Sequence, residues 1–263
     1  MRARRIWQRL LSRISLNMDF KDKAALITGA AEGLGHACAL LLAQRGAHIA
    51  IVDQANEEQM IKLARALKET GARVSTFTAD VTDNGKAGRI VNEVRSRLGR
   101  LDILINASSL TLNAPLADMS EPDWERSLNF NLKGAFNYMQ AAARVFRAQM
   151  GGKIVNIAPG KLLRGDYGLA NTLVARSGLK SLTRSAAAEW GRFNVNVNAI
   201  VPGFIELPAL ANSPATREQA LRETALGRLG TPEDVAELAV FLCSEKARHI
   251  TGAAIRVDGG QSL

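Results

Sequence analysis

The sequence predicts an α/β fold, a doubly wound parallel sheet of about seven strands with helices on both faces. Three observations predict it. Short apolar runs alternate with longer segments of helical periodicity from residue 24 almost to the C-terminus. Glycine, or an acid beside proline, marks most of the boundaries between them. The 263 residues are 47% hydrophobic, enough to bury one large core.

The elements follow in order. Ala24-Ala25-Leu26-Ile27-Thr28 is a first strand, and Gly29-Ala30-Ala31-Glu32-Gly33-Leu34-Gly35 turns the chain into an apolar helix. A second strand, His48-Ile49-Ala50-Ile51-Val52-Asp53, ends in an acid. Such a βαβ unit can hold a dinucleotide: a tight turn at Gly29, close approach of a pyrophosphate at Gly33, and Gly35 seating the helix on the sheet. The free N–H groups of the helix would face the phosphates, and Asp53 the ribose hydroxyls. Apolar spacing at Met60, Leu63, Ala64 and Leu67 gives a helix over 56–69, and Val74–Ala79 is the third strand. A helix over about 84–98 stops at Gly99, and Leu101–Asn106 is the fourth strand. Ser120-Glu121-Pro122-Asp123 reads as a capping box opening one long helix to about Met150. Lys153–Ile157 is the fifth strand, followed by a helix from near Gly168 to Gly191 and a strand over Val195–Ile200. Thr231-Pro232-Glu233-Asp234 caps a helix ending near Ser244, and Ala253–Val257 is the last strand.

Composition excludes several classes. No apolar run reaches the length of a membrane span. Cys38 and Cys243 lie in apolar helical patterns, as buried hydrophobes of a reducing, cytoplasmic compartment would. Cysteines and histidines do not cluster at metal-ligand spacing, so no metal is expected. The formal charge is +9, but Arg2, Arg4, Arg5, Arg9 and Arg13 precede Met18 with no acid among them, leaving 29 basic against 25 acidic residues beyond. A nucleic-acid surface is therefore not expected. Residues 1–17 set Ile6, Trp7, Leu10, Leu11 and Ile14 opposite these arginines. They read as an amphipathic membrane-surface or partner-binding helix, as a presequence, or as an upstream or disordered tail before a natural start at Met18. Residues 18–263 are expected to form a single domain, and membrane contact by residues 1–17 is the lesser alternative.

Together these motifs resemble the short-chain dehydrogenases/reductases over about residues 19–261. Thr28–Gly35 is similar to their T-G-x-x-x-G-x-G turn, Asp53 to their NAD-selecting acid, and Asp80-Val81 to their adenine-contacting pair. Asn129–Gly134 resembles their fourth helix, with Asn131 at the active-site asparagine. Asn198–Gly203 resembles the segment beside nicotinamide, Gly227–Glu233 the entry to their C-terminal helix, and Val257–Gly260 their last strand. The resemblance implies an extended Rossmann fold and, usually, a tetramer built by two long helices and the last strand. It assigns the cofactor to Thr28, Gly29, Glu32, Gly33, Leu34, Gly35, Asp53, Asp80, Val81, Asn106, Arg176, Pro202 and Gly203. Asp53 and Glu32 would repel a 2′-phosphate, so NADP is disfavoured against NAD.

The resemblance also implies a Ser, a Tyr and a Lys, with Asn131 behind them, and here the chain departs from it. Counting from Ile157, those positions hold Pro159, Thr172 and Arg176. Proline has no side-chain donor. A threonine hydroxyl is far less acidic than a phenol of pKa about 10, and arginine, with a pKa above about 12, does not relay protons. Neither tyrosine, Tyr138 or Tyr167, is followed by lysine four residues on; Tyr167, near Lys161, is the weak substitute. Ser109 and Leu207 stand where the family has glycine and threonine, so NAD binding is expected to be weakened or absent. The leading expectation is a catalytically defective subunit paired with an active paralogue in a hetero-oligomeric NAD-dependent dehydrogenase, for example one acting on a hydroxyacyl-CoA-type alcohol, as inactive partners in the family do. The alternatives are an active NAD(H)-dependent alcohol or ketone oxidoreductase using non-standard groups, and an NAD-sensing or scaffold protein; the tetramer is either of self or of both chains.

Overall fold

The computed structural model describes residues 20–54, 57–158, 167–207 and 214–263. Residues 1–17, Pro159 and Lys161 lie outside the described residues. The strands are β1 (Ala24–Thr28), β2 (His48–Asp53), β3 (Val74–Thr78), β4 (Ile103–Asn106), β5 (Gly152–Ile157), β6 (Val195–Pro202) and β7 (Ala254–Val257). They form one seven-stranded sheet in the order β3-β2-β1-β4-β5-β6-β7. Every pairing is parallel, with Thr28 opposite Val52 on one side and Asn106 on the other. Each connection therefore crosses over through a helix.

The helices are α1 (Gly33–Gln44), α2 (Glu57–Glu69), α3 (Asn84–Leu98), α4 (Glu121–Leu128), α5 (Gly134–Gln149), α6 (Ala170–Trp190), α7 (Pro214–Glu223) and α8 (Pro232–Cys243). Alternation along the strands sends side chains to two cores. Ala25 and Ile27 face a cluster with Cys38 and Leu42 of α1, Leu63 of α2 and Val240 of α8. Ala24 and Leu26 face another, with Val91 and Val94 of α3 and Tyr138 and Phe146 of α5. Burial of such aliphatic side chains stabilises by about 1.5–3 kcal/mol each, which fixes the register of each strand. Both cysteines are buried thiols, and burial pushes Cys38 up to about 12, so it stays an uncharged hydrophobe.

The structure corrects three readings. The long helix from Ser120 is not continuous: a π-helical turn (Asn129–Lys133) separates α4 from α5. Nothing in the i, i+3, i+4 pattern distinguishes an i→i+5 turn from the α-helix around it. The capping box at its start is half made, since Ser120 Oγ accepts from Asp123 N at 3.2 Å while its hydroxyl meets the Asp123 carboxylate. The box at Thr231 and Asp234 is complete. Helix α7 was not expected, because Ala220 is its one described fully buried residue and leaves no apolar stripe to read.

Candidate functional site

The strand order reverses between β1 and β4, so the C-terminal ends of these strands splay and open a crevice. The glycine turn lines it. Gly29 has φ +65° and donates its N–H to Val52 O at 2.9 Å. A Cβ there would lie 2.5 Å from Ser108 N, and one on Gly35 would lie 2.1 Å from Gly29 O. Gly33, also left-handed at φ +62°, is open except for Leu207 Cδ2 at 3.6 Å. Glu32 occupies the N-cap of α1, but its exposed side chain makes no capping hydrogen bond. The first turn of α1 is thus left with uncapped N–H groups in front of a Cβ-free cradle, which fits a dinucleotide pyrophosphate.

The other cofactor positions divide. Asp53 stands at the end of β2, and its Oδ2 accepts from Ala31 N at 2.9 Å. The carboxylate suited to a ribose therefore also braces the glycine turn. Asn106, buried at the end of β4, donates through Nδ2 to Asn156 Oδ1 at 2.8 Å, while its buried Oδ1 has no hydrogen-bond partner. Thr28 is buried at the end of β1, and Leu34 is half-buried against the core. Asp80 is exposed and accepts from Thr82 N, whereas the Val81 side chain is buried. A Cβ on Gly134 would lie 2.7 Å from Val81 Cγ2, so that side chain packs on α5, while the Val81 carbonyl accepts from Asn137 Nδ2 at 3.0 Å. Pro202 ends β6, and Gly203 is clamped to the last strand, donating to Val257 O at 2.9 Å with no room for a Cβ beside Asp258. Ser109 is exposed.

The family's catalytic positions come together differently. Asn131 lies in the π turn, buried, where its Oδ1 accepts from Leu110 N at 2.8 Å and its Nδ2 donates to Leu110 O at 2.7 Å. Thr172, 1% exposed on α6, donates its hydroxyl to Asn171 Oδ1 at 3.2 Å. Asn171 Nδ2 in turn donates to Leu112 O at 3.1 Å, and Ala114 N to Gly168 O at 3.0 Å. Asn131 and Asn171 therefore pin the loop after β4 from two sides. The role of Asn171 was not read from the sequence; an asparagine beside the Thr172 position was its only signal. Arg176 is buried one turn further along α6. Beneath them Asn156 Nδ2 donates to Thr183 Oγ1 at 2.9 Å, which donates to Leu179 O, a buried chain that locks α6 to the sheet.

The two tyrosines stand in opposite environments. Tyr167 is 88% exposed, so the structure does not bring it into the crevice. Tyr138 is fully buried in the core beneath α5, and burial, helped by the negative charges of Asp83 and Asp80, pushes its hydroxyl well above the usual phenol range.

The parallel sheet, its crevice at the point of strand reversal and the glycine cradle define the dinucleotide-binding class of α/β fold. Residues 29–262 match the family model described as enoyl-(acyl carrier protein) reductase. The chain belongs to the short-chain dehydrogenase/reductase family. It is 37% identical over 244 residues to the 3-oxoacyl-(acyl-carrier-protein) reductase FabG of Thermotoga maritima, spanning 92% of this chain and 99% of the relative. It is 37% identical over 246 residues to the cis-4-hydroxycyclohexanecarboxylate dehydrogenase of Sinomonas cyclohexanicum, spanning 92% and 97%. Among solved structures, gluconate 5-dehydrogenase from Burkholderia cenocepacia, in complex with NADP and tartrate, superposes with a TM-score of 0.86 at 31% identity, covering 94% of this chain and 98% of the other.

Proposed function

We propose that this chain is a catalytically defective short-chain dehydrogenase subunit that keeps the dinucleotide cradle and works by pairing with an active paralogue of the same fold. The observation that carries the reading is the pair Thr172 and Arg176, buried on α6 where the family has its tyrosine and lysine, with the Thr172 hydroxyl already bonded to Asn171. A bound nicotinamide would offer hydride chemistry. This chain's described residues offer no phenol or lysine at these positions to move the accompanying proton. NAD is the dinucleotide the site favours, because the Asp53 carboxylate at the end of β2 repels a 2′-phosphate. The NADP in the gluconate 5-dehydrogenase structure speaks for that protein, and competition between the two cofactors decides the point here.

A second reading is an active NAD(H)-dependent reductase using non-standard groups. The names of the relatives favour it, since those at 36–37% identity are reductases and a dehydrogenase. One experiment separates the two. The purified chain is titrated with NADH by fluorescence and assayed with a panel of ketones and alcohols, and the complex from its native cells is resolved by mass. The first reading expects no turnover by the chain alone and a second subunit of the same fold with an intact Ser, Tyr and Lys. Turnover by the isolated chain, abolished by Tyr167→Phe or Arg176→Ala, would establish the second. A third reading, an NAD sensor or scaffold, expects NADH binding with neither turnover nor such a partner.

A further inference from the structure

The sheet has a second cavity at the opposite end from the crevice, where β1, β4 and β5 begin. It holds about 310 Å³ and is mostly polar, lined by Lys23, Arg100, Asp102, Gln149, Lys153 and Glu245. This lies at the small end of the range for ligand pockets. We propose that it is a binding site for a small carboxylate, seated on the Lys153 ammonium.

Lys153 is the key group. It is 8% exposed, and a lysine that deeply buried needs partners. One is fixed: Nζ donates to Asn196 Oδ1 at 2.8 Å. Asn196 cannot turn away, because its Nδ2 donates to Arg248 O and Ile250 O at 3.0 Å each. An ammonium has three donors. The nearest carboxylate among the described residues, Glu245 Oε1, stands 3.7 Å away, beyond hydrogen-bond reach, on a side chain that is 80% exposed. The exposed Glu245 carboxylate thus faces the ammonium without a hydrogen bond to it.

Elsewhere in the lining two cations share one carboxylate. Asp102 Oδ1 accepts from Lys23 and from Arg100 Nη2, and its Oδ2 from Arg100 Nε and Ala24 N. Lys153 faces Glu245, and the lining as a whole carries three cations against two carboxylates, an excess that one anionic group neutralises.

The test uses the full chain and benzoate, titrated by calorimetry, with uncharged benzamide as comparison. Saturable benzoate binding is expected, absent for benzamide. Lys153→Met should weaken it at least tenfold. Glu245→Gln, at an exposed position, should tighten it severalfold by removing the internal competitor. If Lys153→Met fails to fold by circular dichroism, the Glu245→Gln arm decides. No saturable binding to wild type and Glu245→Gln, equal binding of benzamide, or a Glu245→Gln affinity unchanged from wild type overturns the proposal.

Discussion

The two halves of the crevice have kept different things. In the β1–α1–β2 half, every residue that shape requires is in place: a Cβ on Gly29 or Gly35 would strike backbone at 2.5 and 2.1 Å. In the β5–α6 half, the positions that the resemblance assigns to the chemistry hold Thr172 and Arg176, both buried. Asn156 bonds to Thr183, which bonds to Leu179 O, and Asn171 separately accepts from Thr172, all of them buried. Glycines that would ruin a fold persist whether or not a cofactor binds. On the function proposed above, Thr172 and Arg176, buried in an intact frame, bear on chemistry and not on folding.

That contrast predicts its own reversal. If the halves differ only in three side chains, Pro159→Ser with Thr172→Tyr and Arg176→Lys should create NADH-dependent ketone reduction about 10²–10⁴-fold above the wild-type background, the usual contribution of a positioned general acid. Activity is read by NADH absorbance on a ketone panel. The melting temperature controls for folding, since the larger phenol introduced on α6 must displace part of the pinned loop. A folded variant without activity would mean that the frame has diverged too.

Gly35→Ala probes the other half and should damage folding more than binding. Its Cβ meets a carbonyl oxygen and not a flexible side-chain tip, so relief requires moving α1 off the sheet. The expected loss is about 3 kcal/mol, read as the urea midpoint at constant slope. Thr172→Ala, which removes one hydroxyl bond, should cost only about 1 kcal/mol.

The fold was legible because strand and helix periods are set by burial, and burial is what the apolar pattern records. The elements missed are those that burial does not mark. The π turn at Asn129–Lys133 keeps the apolar stripe of its neighbours while shifting hydrogen bonds by one residue. Helix α7 is held by few apolar contacts. At the site, the glycines and Asp53 could be placed from spacing alone, because each answers a backbone or strand-end requirement. Asn171 could not, since its bonds to Leu112 and Thr172 depend on where a loop about sixty residues earlier returns. Nor could spacing foresee that Val81 turns its side chain inward against Gly134.

Asp53 tests whether the intact half still serves a dinucleotide. Asp53→Ala removes the ribose acceptor and the bond to Ala31 N. NADH affinity should fall about tenfold, as loss of one or two hydrogen bonds to a charged group implies. Leu207→Thr should act in the opposite sense, because Leu207 Cδ2 overhangs Gly33 at the open side of the cradle. If neither changes affinity, the cradle is retained for packing alone.

The smallest effect separates packing of that half from its binding role. Helix α8 lies on α1 through the core, and its start is closed by the reciprocal box of Thr231 and Asp234. Bonding to Arg228 first, and then to the Thr231 backbone N–H, holds the Asp234 carboxyl below the usual carboxylate range. A folded pKa below the unfolded value of about 3.9 gives stability that is present above that value and lost as the pH falls through the folded one. Asp234→Ala should therefore cost about 1 kcal/mol at neutral pH, the ordinary worth of a helix cap, and the difference from wild type should shrink below about pH 4. The measurement is urea unfolding at neutral pH and again in acid, below the unfolded carboxylate value. NADH affinity at neutral pH should not move, because Asp234 bonds to Arg228 and Thr231 at the start of α8 and not to the glycine turn. A parallel loss of affinity would show that cradle and cap unfold as one unit.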